Sequence, residues 1–159
     1  MNKKRSSRKH GEKVEQTHQE TLQALEAALS GAGLRLTHQR LTIYQELMDS
    51  HDHPSAEDIY KRVRRKVPTI SLDTVYRTLA TLEEQGLVVR LRVFEERGRY
   101  DADLSPHHHL ICSKCKKIAD FQWSVFEQAD IPAQHAEWGR VMRKDLIMTG
   151  ICRECLEGG

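Results

Sequence analysis

All four cysteines of this 159-residue chain occur as two Cys-x-x-Cys pairs, Cys112/Cys115 and Cys152/Cys155. Four thiolates that converge on one point form the tetrahedral donor set of structural Zn(II) sites, and paired Cys-x-x-Cys motifs are typical of such sites. The alternatives are two disulfides or buried free thiols. Disulfides are disfavoured because the first residues are basic and polar and do not resemble a secretory signal peptide. The cysteines therefore predict a structural Zn(II) site in a reducing, cytoplasmic compartment.

Three consecutive histidines, His107 to His109, precede the first cysteine pair. Imidazoles combined with carboxylates form a borderline-hard metal site that suits Fe(II), Mn(II) or Zn(II), and such a site differs from a thiolate site. The histidine run alone also fits a weak, adventitious metal patch. Together with the cysteines, the run points to metal binding.

The formal net charge is only +2, and 30% of the residues are charged. The basic excess lies in an N-terminal arm, residues 1–13, and in the stretch Lys61 to Lys66. Such clusters are typical of a surface that faces phosphates, although many are ordinary solvated faces. No apolar run is long enough to span a bilayer, so no membrane association is expected.

Hydrophobic periodicity predicts four helices in the N-terminal part. They begin at Val14, Thr37, Ser55 and Ser71. Thr37, Ser55 and Ser71 are suitable N-caps, and Ser55 with Asp58 forms a near capping box. Strands are predicted at 87–94 and 99–102, joined by a turn at 95–98. Several short helices followed by a two-stranded hairpin predict a winged helix-turn-helix domain over residues 14–100.

In a winged helix the helix before the hairpin enters the major groove of DNA. The predicted DNA-contacting residues are Ser71, Asp73, Thr74, Tyr76 and Arg77. Tyr76 is also a candidate core aromatic, because it shares a helical face with Leu72 and Leu79. Arg77 lies off that face and can bind either a phosphate or a guanine edge.

Beyond a hinge at 101–106, residues 107–159 are predicted to form a second, small domain with strands and one helix. Strands are expected at 109–112, 118–123 and 141–151, with an amphipathic helix over 125–135. Their sheet would bring the two Cys-x-x-Cys turns together. An open sheet of this size gains from pairing with another copy, so a homodimer is predicted. The fold class is α+β.

Several motifs occur in an order that resembles the Fur family of bacterial metal-dependent repressors. They are Ser-Leu-Asp-Thr-Val-Tyr-Arg-Thr-Leu at 71–79, Arg-Tyr-Asp at 99–101, the histidine run and the paired cysteines. The chain departs from the family at His38, where proline is usual. The resemblance implies a homodimer that binds a palindromic double-stranded DNA operator when Fe(II) or Mn(II) locks the hinge. The implied regulatory ligands are His53, Asp101, His107, His109 and Asp120.

The two aspartates, Asp101 and Asp120, resemble the peroxide-sensing, PerR-type subgroup, whereas iron-sensing members carry glutamates. This implies oxidation of His53 or His107 by peroxide at bound iron. The alternative within the family is a Fur-like repressor of iron, zinc or manganese uptake. A further family site lacks two histidines here, having Pro106 and Lys144, although His108 and Glu127 are present. Outside the family, a zinc hydrolase is the alternative, but no candidate general base accompanies the histidines, and no enzymatic activity is expected.

Overall fold

Residues 22–91 and 98–158 are described by a computed structural model. The predicted arm, the start of the first helix and most of the hairpin turn lie outside these residues. The chain divides between Leu104 and Ser105 into two units.

The first unit is a winged helix, as predicted. Helix α1 occupies residues 22–31. It is followed by α2 (His38–Met48), α3 (Ala56–Val63), α4 (Leu72–Glu84), β1 (Val89–Leu91) and β2 (Arg99–Asp101). The two strands pair antiparallel, with Arg90 opposite Tyr100.

Side-chain caps define where the helices of this unit begin. The hydroxyls of Thr37, Ser55 and Ser71 each accept a hydrogen bond from the backbone N–H three residues later. Ser55 and Asp58 form a complete capping box, which satisfies two helix-end donors at once. Helix α4 ends at Glu84, and Gly86, two residues beyond it, has a φ of +69°, a conformation that favours glycine. The three predicted N-caps are confirmed.

Apolar side chains from α1 to α4 form one core, which includes the fully buried Leu25, Leu29, Ile43 and Val75. Two large side chains of this unit lie outside the core. Met48, the last residue of α2, is 37% exposed. Tyr76 is 43% exposed, so it is a surface residue of α4 rather than a core aromatic.

The second unit contains a three-stranded sheet in the order β4-β3-β5. The strands are β3 (His108–Cys112), β4 (Ile118–Phe121) and β5 (Ile147–Gly150). Strand β3 runs antiparallel to β4 and parallel to β5. Helix α5 (Ser124–Gln128), a 3₁₀ helix (Ala133–Trp138) and α6 (Arg153–Glu157) complete the unit.

Three predicted elements of the second unit are shorter than expected, among them β4, which ends at Phe121 rather than at residue 123. The helix predicted over 125–135 is interrupted after Gln128, because Pro132 lacks an N–H and disfavours a helical Ile131 before it. The strand predicted over 141–151 begins only at Ile147, which pairs with His109 near the start of β3. Residues before Ile147 have little of β3 left to pair with.

Among the described residues, no helix is both long enough and apolar enough to cross a bilayer.

Candidate metal centres and nucleic-acid interface

The sheet brings the four cysteines together. Cys112 ends β3 and lies opposite Gly150 of β5, two residues before Cys152. The four Sγ atoms all lie within 4.8 Å of one another, and those of Cys115 and Cys152 are 3.7 Å apart. Two thiolates bound tetrahedrally to one Zn(II) at 2.3 Å would be about 3.8 Å apart. The geometry therefore fits one structural Zn(II).

The electrostatics of the cluster also favour a cation. The backbone N–H groups of Cys115 and Cys152 point at Cys112 Sγ, at 3.5 and 3.3 Å. These donors lower the pKa of the Cys112 thiol to about 6. The pKa of Cys155 is raised to about 12, because its thiol shares hydrogen bonds with the sulfur atoms of Cys152 and Cys115. Four neighbouring sulfurs ionise together only if a bound cation offsets their repulsion.

A second donor cluster lies at the other end of β3. Residues two apart in an extended chain share a face, so His107 and His109 are side by side. Asp120 is directly opposite His109 in the β3–β4 register. The Nε2 atoms of the two histidines are 3.0 Å apart, and Asp120 Oδ1 is 3.7 Å from His109 Nε2. Both rings are almost fully buried.

The orientation of His107 prepares it to bind a metal. Its Nδ1 lies 2.8 Å from the backbone carbonyl of Ser105, to which it donates a hydrogen bond. A neutral ring with Nδ1 protonated carries its lone pair on Nε2, the atom that faces His109. Two nitrogens bound to one ion at about 2.1 Å and at a right angle lie about 3 Å apart. The pair therefore fits adjacent positions around one ion.

The first unit holds two more of the predicted ligands. His53 Nε2 is 3.5 Å from Asp101 Oδ2, and both residues are buried. His53 has a φ of +48°, a backbone conformation that costs free energy for a residue other than glycine and that is concentrated at functional sites. The other carboxylate oxygen of Asp101 accepts the backbone N–H of Asp103 at 2.8 Å, which fixes the side chain.

His108 faces away from His107 and His109, and its surroundings differ. Its ring packs against Phe121 and Phe126, with centroid distances of 5.4 and 5.1 Å. Its Nε2 is 3.7 Å from Glu127 Oε1. Lys144 Nζ donates to the backbone carbonyls of Glu127 and Ala129. Within residues 22–91 and 98–158, His108 and Glu127 belong to no group of three or more metal donors.

The predicted DNA-contacting residues lie at the start of α4, and four of them contact one another there. Ser71 Oγ accepts the backbone N–H of Thr74 at 3.1 Å, and the two hydroxyls are 2.8 Å apart. Asp73 and Arg77 form an exposed ion pair at 2.9 Å. Tyr76 and Arg77 are the large side chains that this part of α4 presents to solvent.

Part of the predicted basic surface is neutralised by ion pairs. Arg62 donates to Asp52, with Nη1 3.1 Å from Oδ1, and this bond lowers the pKa of Asp52. Lys66 pairs with Glu46 at 2.8 Å. These two cations are therefore less available to phosphates than the exposed Arg65.

Glu57 was not predicted to take part in the interface. Its Oε1 accepts a hydrogen bond of 2.9 Å from the Tyr76 hydroxyl. The two residues lie 19 positions apart, on α3 and α4. No local spacing pattern predicts a contact of that kind.

Comparison with known proteins decides which family this arrangement represents. A sequence profile described as the ferric uptake regulator family matches residues 31–144. The chain belongs to the ferric uptake regulator family. It is 37% identical to the peroxide-responsive repressor PerR of Staphylococcus epidermidis, over 84% of this chain and 89% of that protein. It is 38% identical to the peroxide operon regulator of Bacillus subtilis, over 86% of this chain and 93% of that protein.

Solved structures of the family resemble this one. The ferric uptake regulator of Helicobacter pylori, described as having three functional metal-binding sites, superposes with a TM-score of 0.73 at 28% identity. The match covers 87% of this chain and 93% of that one. Members of this family are transcriptional regulators rather than enzymes, so the hydrolase alternative is wrong.

Proposed function

We propose that this protein is a metal-dependent, DNA-binding repressor that is released from its operator by peroxide. The observation that carries the proposal is the donor set: two imidazole nitrogens 3.0 Å apart beside the aspartate Asp120, at the opposite end of β3 from the four thiols. The relatives named above are peroxide-responsive regulators, which supports the same assignment.

Two kinds of metal are assigned to two kinds of ligand. Cys112, Cys115, Cys152 and Cys155 would hold Zn(II) in a structural role, because thiolates suit Zn(II) and close its tetrahedral shell. Fe(II) or Mn(II) would bind His107, His109 and Asp120 of the second unit together with His53 and Asp101 of the first. A ligand set drawn from both units makes their relative position depend on the ion.

DNA binding is assigned to the winged helix. Tyr76 and Arg77 on α4 would meet base edges in the major groove, while exposed cations such as Arg65 would contact phosphates. A homodimer would place two such helices on the half-sites of a palindromic operator. Metal that favours the DNA-binding arrangement typically contributes 1–3 kcal/mol of coupling.

The peroxide response is assigned to the imidazole ligands. Fe(II), when bound, would promote the reaction of hydrogen peroxide with a ligand ring. One peroxide oxygen would be inserted into an imidazole C–H bond of His53 or His107 and the other would leave as water, so that the ring supplies the two electrons that peroxide gains. The hydrogen bond to the Ser105 carbonyl keeps the His107 ring in place beside His109. An oxidised ring is a poorer nitrogen donor, so the ion is lost and DNA is released.

A Fur-like iron-uptake repressor is the second candidate, because the same nitrogen and oxygen donors suit Fe(II) sensing. The experiment that separates the two is anaerobic loading with Fe(II), addition of a small excess of hydrogen peroxide, and mass spectrometry of tryptic peptides containing His53 and His107. We expect one added oxygen on either histidine and loss of operator binding.

Two controls make this result specific. Protein loaded with Mn(II) should remain unmodified, and the exposed His135 should gain no oxygen under either condition. If both candidate histidines stay unmodified while DNA binding still requires iron, the protein is an iron-responsive repressor and the peroxide assignment is wrong.

A further inference from the structure

The turn between α2 and α3 carries His53, one of the two proposed metal ligands that belong to the first unit. His53 has a φ of +48°, a conformation that a residue other than glycine keeps only where its surroundings enforce it. It is also buried, and its Nε2 lies 3.5 Å from Asp101 Oδ2. The contacts on either side of His53 therefore decide whether this half of the proposed regulatory site exists before an ion binds.

The residue before His53 is held by Arg62 of α3. The Arg62 guanidinium donates from Nη1 to Asp52 Oδ1 at 3.1 Å and from Nη2 to Asp52 Oδ2 at 2.5 Å. Nη1 also donates to Ser50 Oγ at 2.9 Å. The Ser50 hydroxyl gives its own proton to the backbone carbonyl of Glu46 at 2.6 Å, so its oxygen accepts from Arg62. One side chain therefore ties two residues of the turn to α3.

The residue after His53 is held by strand β2. The backbone N–H of Tyr100 donates to the Pro54 carbonyl at 3.0 Å, and Asp101 follows Tyr100 directly in the strand. This bond brings the turn beside Asp101. With Pro54 bonded to β2 and Asp52 bonded to α3, His53 lies between two fixed neighbours.

The geometry of the Arg62 contact compensates for its exposure to water. The side chains of Arg62 and Asp52 are 32% and 59% exposed, and exposed ion pairs generally contribute little to stability because water screens them. Two parallel N–H···O bonds nevertheless fix the orientation of a carboxylate, and Ser50 adds a third partner. The contact is therefore better suited to positioning the turn than to stabilising the fold.

We propose that Arg62 is a positioning residue for the regulatory metal: it holds the turn so that the His53 ring stays beside Asp101 and this half of the donor set is preformed. If only a fraction of the molecules has the binding-competent turn, the apparent dissociation constant rises by the reciprocal of that fraction. Removing Arg62 should therefore weaken metal binding without removing a ligand. This inference rests on the proposed function, since it requires that His53 binds the ion.

The test measures the Mn(II) affinity of the full chain without DNA, by electron paramagnetic resonance of the free ion. Mn(II) avoids peroxide chemistry, and leaving DNA out removes any effect of Arg62 on phosphate binding. The variants are Arg62→Met, which keeps an apolar stem, His53→Ala and the double variant. Circular dichroism melts and zinc content establish that each variant is folded.

Lys66→Met is the matched control. Lys66 also forms an ion pair, with its Nζ 2.8 Å from Glu46 Oε2, and the substitution removes the same charge from the same basic stretch. Glu46 lies on α2 rather than in the turn that carries His53. The Mn(II) dissociation constant of Lys66→Met should therefore equal that of the original protein.

Arg62→Met should raise the Mn(II) dissociation constant about tenfold, the lower end of the effect of groups that orient metal ligands. His53→Ala should raise it further. In the His53→Ala background, Arg62→Met should have no additional effect, because the turn no longer carries a ligand to position. A general weakening of the fold would instead reduce Mn(II) affinity equally in both backgrounds.

The outcomes separate a failure of this inference from a failure of the proposed function. If His53→Ala binds Mn(II) as tightly as the original protein, His53 is not a ligand and the proposed regulatory site is wrong. If His53→Ala is impaired but Arg62→Met binds as tightly as Lys66→Met, the inference is overturned. It is also overturned if Arg62→Met weakens binding equally with and without His53, since Arg62 then does not act through that residue.

Discussion

At the scale of the residue, donor chemistry and burial separate two metal sites within one small sheet. The thiols lie at one end of β3, and Cys155 is only partly buried. His107 and His109 lie at the other end and are 4% and 1% exposed. Soft thiolates and harder imidazole–carboxylate donors prefer different ions. Under the proposed function, the ion at the thiolates would stabilise the fold and the ion at the histidines would regulate DNA binding.

The first prediction concerns Cys112→Ser, which removes one of the four sulfurs. Structural Zn(II) sites of this kind contribute about 10–16 kcal/mol to folding, and a hydroxyl is a poor substitute for a thiolate. We expect loss of bound zinc and unfolding of the second unit at room temperature. Zinc content by elemental analysis and a thermal melt measure both effects. The exposed Met142 provides a control, since Met142→Ser should retain its zinc. A Cys112→Ser protein with full zinc content and an unchanged Tm would contradict the structural role.

The second prediction concerns His109→Ala. The substitution leaves the four cysteines intact, so the protein should remain folded and keep its zinc. Its affinity for Mn(II) should fall by more than about 100-fold, because even changes to groups that only hydrogen-bond to metal ligands cost 10- to 100-fold. Mn(II)-dependent operator binding should disappear with it. His135→Ala, at an exposed histidine, is the matched control. Unchanged metal-dependent DNA binding in His109→Ala would show that this histidine is not a regulatory ligand.

At the scale of the element, local signals were sufficient for the first unit but not for the second. The side chains of Thr37, Ser55 and Ser71 cap helix starts by hydrogen-bonding to the backbone N–H three residues later. Because both partners are close in the sequence, these helix starts were predictable. The break after Gln128 was not recognised, although Pro132 was its visible cause. The length of strand β5 was overestimated, because a strand extends only as far as its partner strand pairs with it. The sequence of one strand does not contain that information.

The same distinction applies to the candidate site. The alternation of a strand predicts that His107 and His109 share a face. The position of Asp120 opposite His109 depends on the β3–β4 register, and only resemblance to the family identified it in advance. Glu57 was missed entirely, because its contact with Tyr76 joins two helices. Contacts that form only through tertiary packing produce no periodic pattern in the sequence.

The third prediction tests the capping box of α3. Ser55→Ala removes the hydroxyl that accepts the Asp58 N–H and donates to its carboxylate. Loss of such a cap costs ~1 kcal/mol, which corresponds to a decrease in Tm of about 4–8 °C for a unit of this size. Ser30→Ala, on the exposed side of α1, should show no comparable loss. A Ser55→Ala protein that melts at the original temperature would show that the capping box is dispensable.

The pH dependence of this effect has a definite sign. The Ser55 hydroxyl lowers the pKa of Asp58 from its ordinary value of 3.8. A lowered folded-state pKa gives stability that is present above the unfolded value and lost as the pH falls through the folded one. The difference in stability between the original protein and Ser55→Ala should therefore be largest above about pH 4 and shrink below it. Urea unfolding at neutral and acidic pH measures this difference, which would stay constant if Asp58 were not involved.

At the scale of the whole molecule, the proposed regulatory ligands belong to both units: His53 and Asp101 to the first, and His107, His109 and Asp120 to the second. The residues proposed to contact DNA, Tyr76 and Arg77, belong to the first unit alone. The proposed metal ligands and the proposed DNA contacts are therefore different residues, and any effect of one on the other requires a coupling between two separate sites. That requirement makes the coupling between metal and DNA measurable from either side.

The fourth prediction follows from the reciprocity of that coupling. If Mn(II) raises operator affinity by a given factor, the operator must raise Mn(II) affinity by the same factor, typically about 5- to 150-fold. Operator titrations with and without Mn(II) give one factor, and Mn(II) titrations with and without operator give the other. The His109→Ala protein should show no coupling in either direction, because the ion can no longer connect the units. A Mn(II) affinity that does not respond to saturating operator would mean that the ion stabilises the protein without controlling DNA binding. A factor well above one in both titrations would instead establish that metal binding and operator binding are coupled.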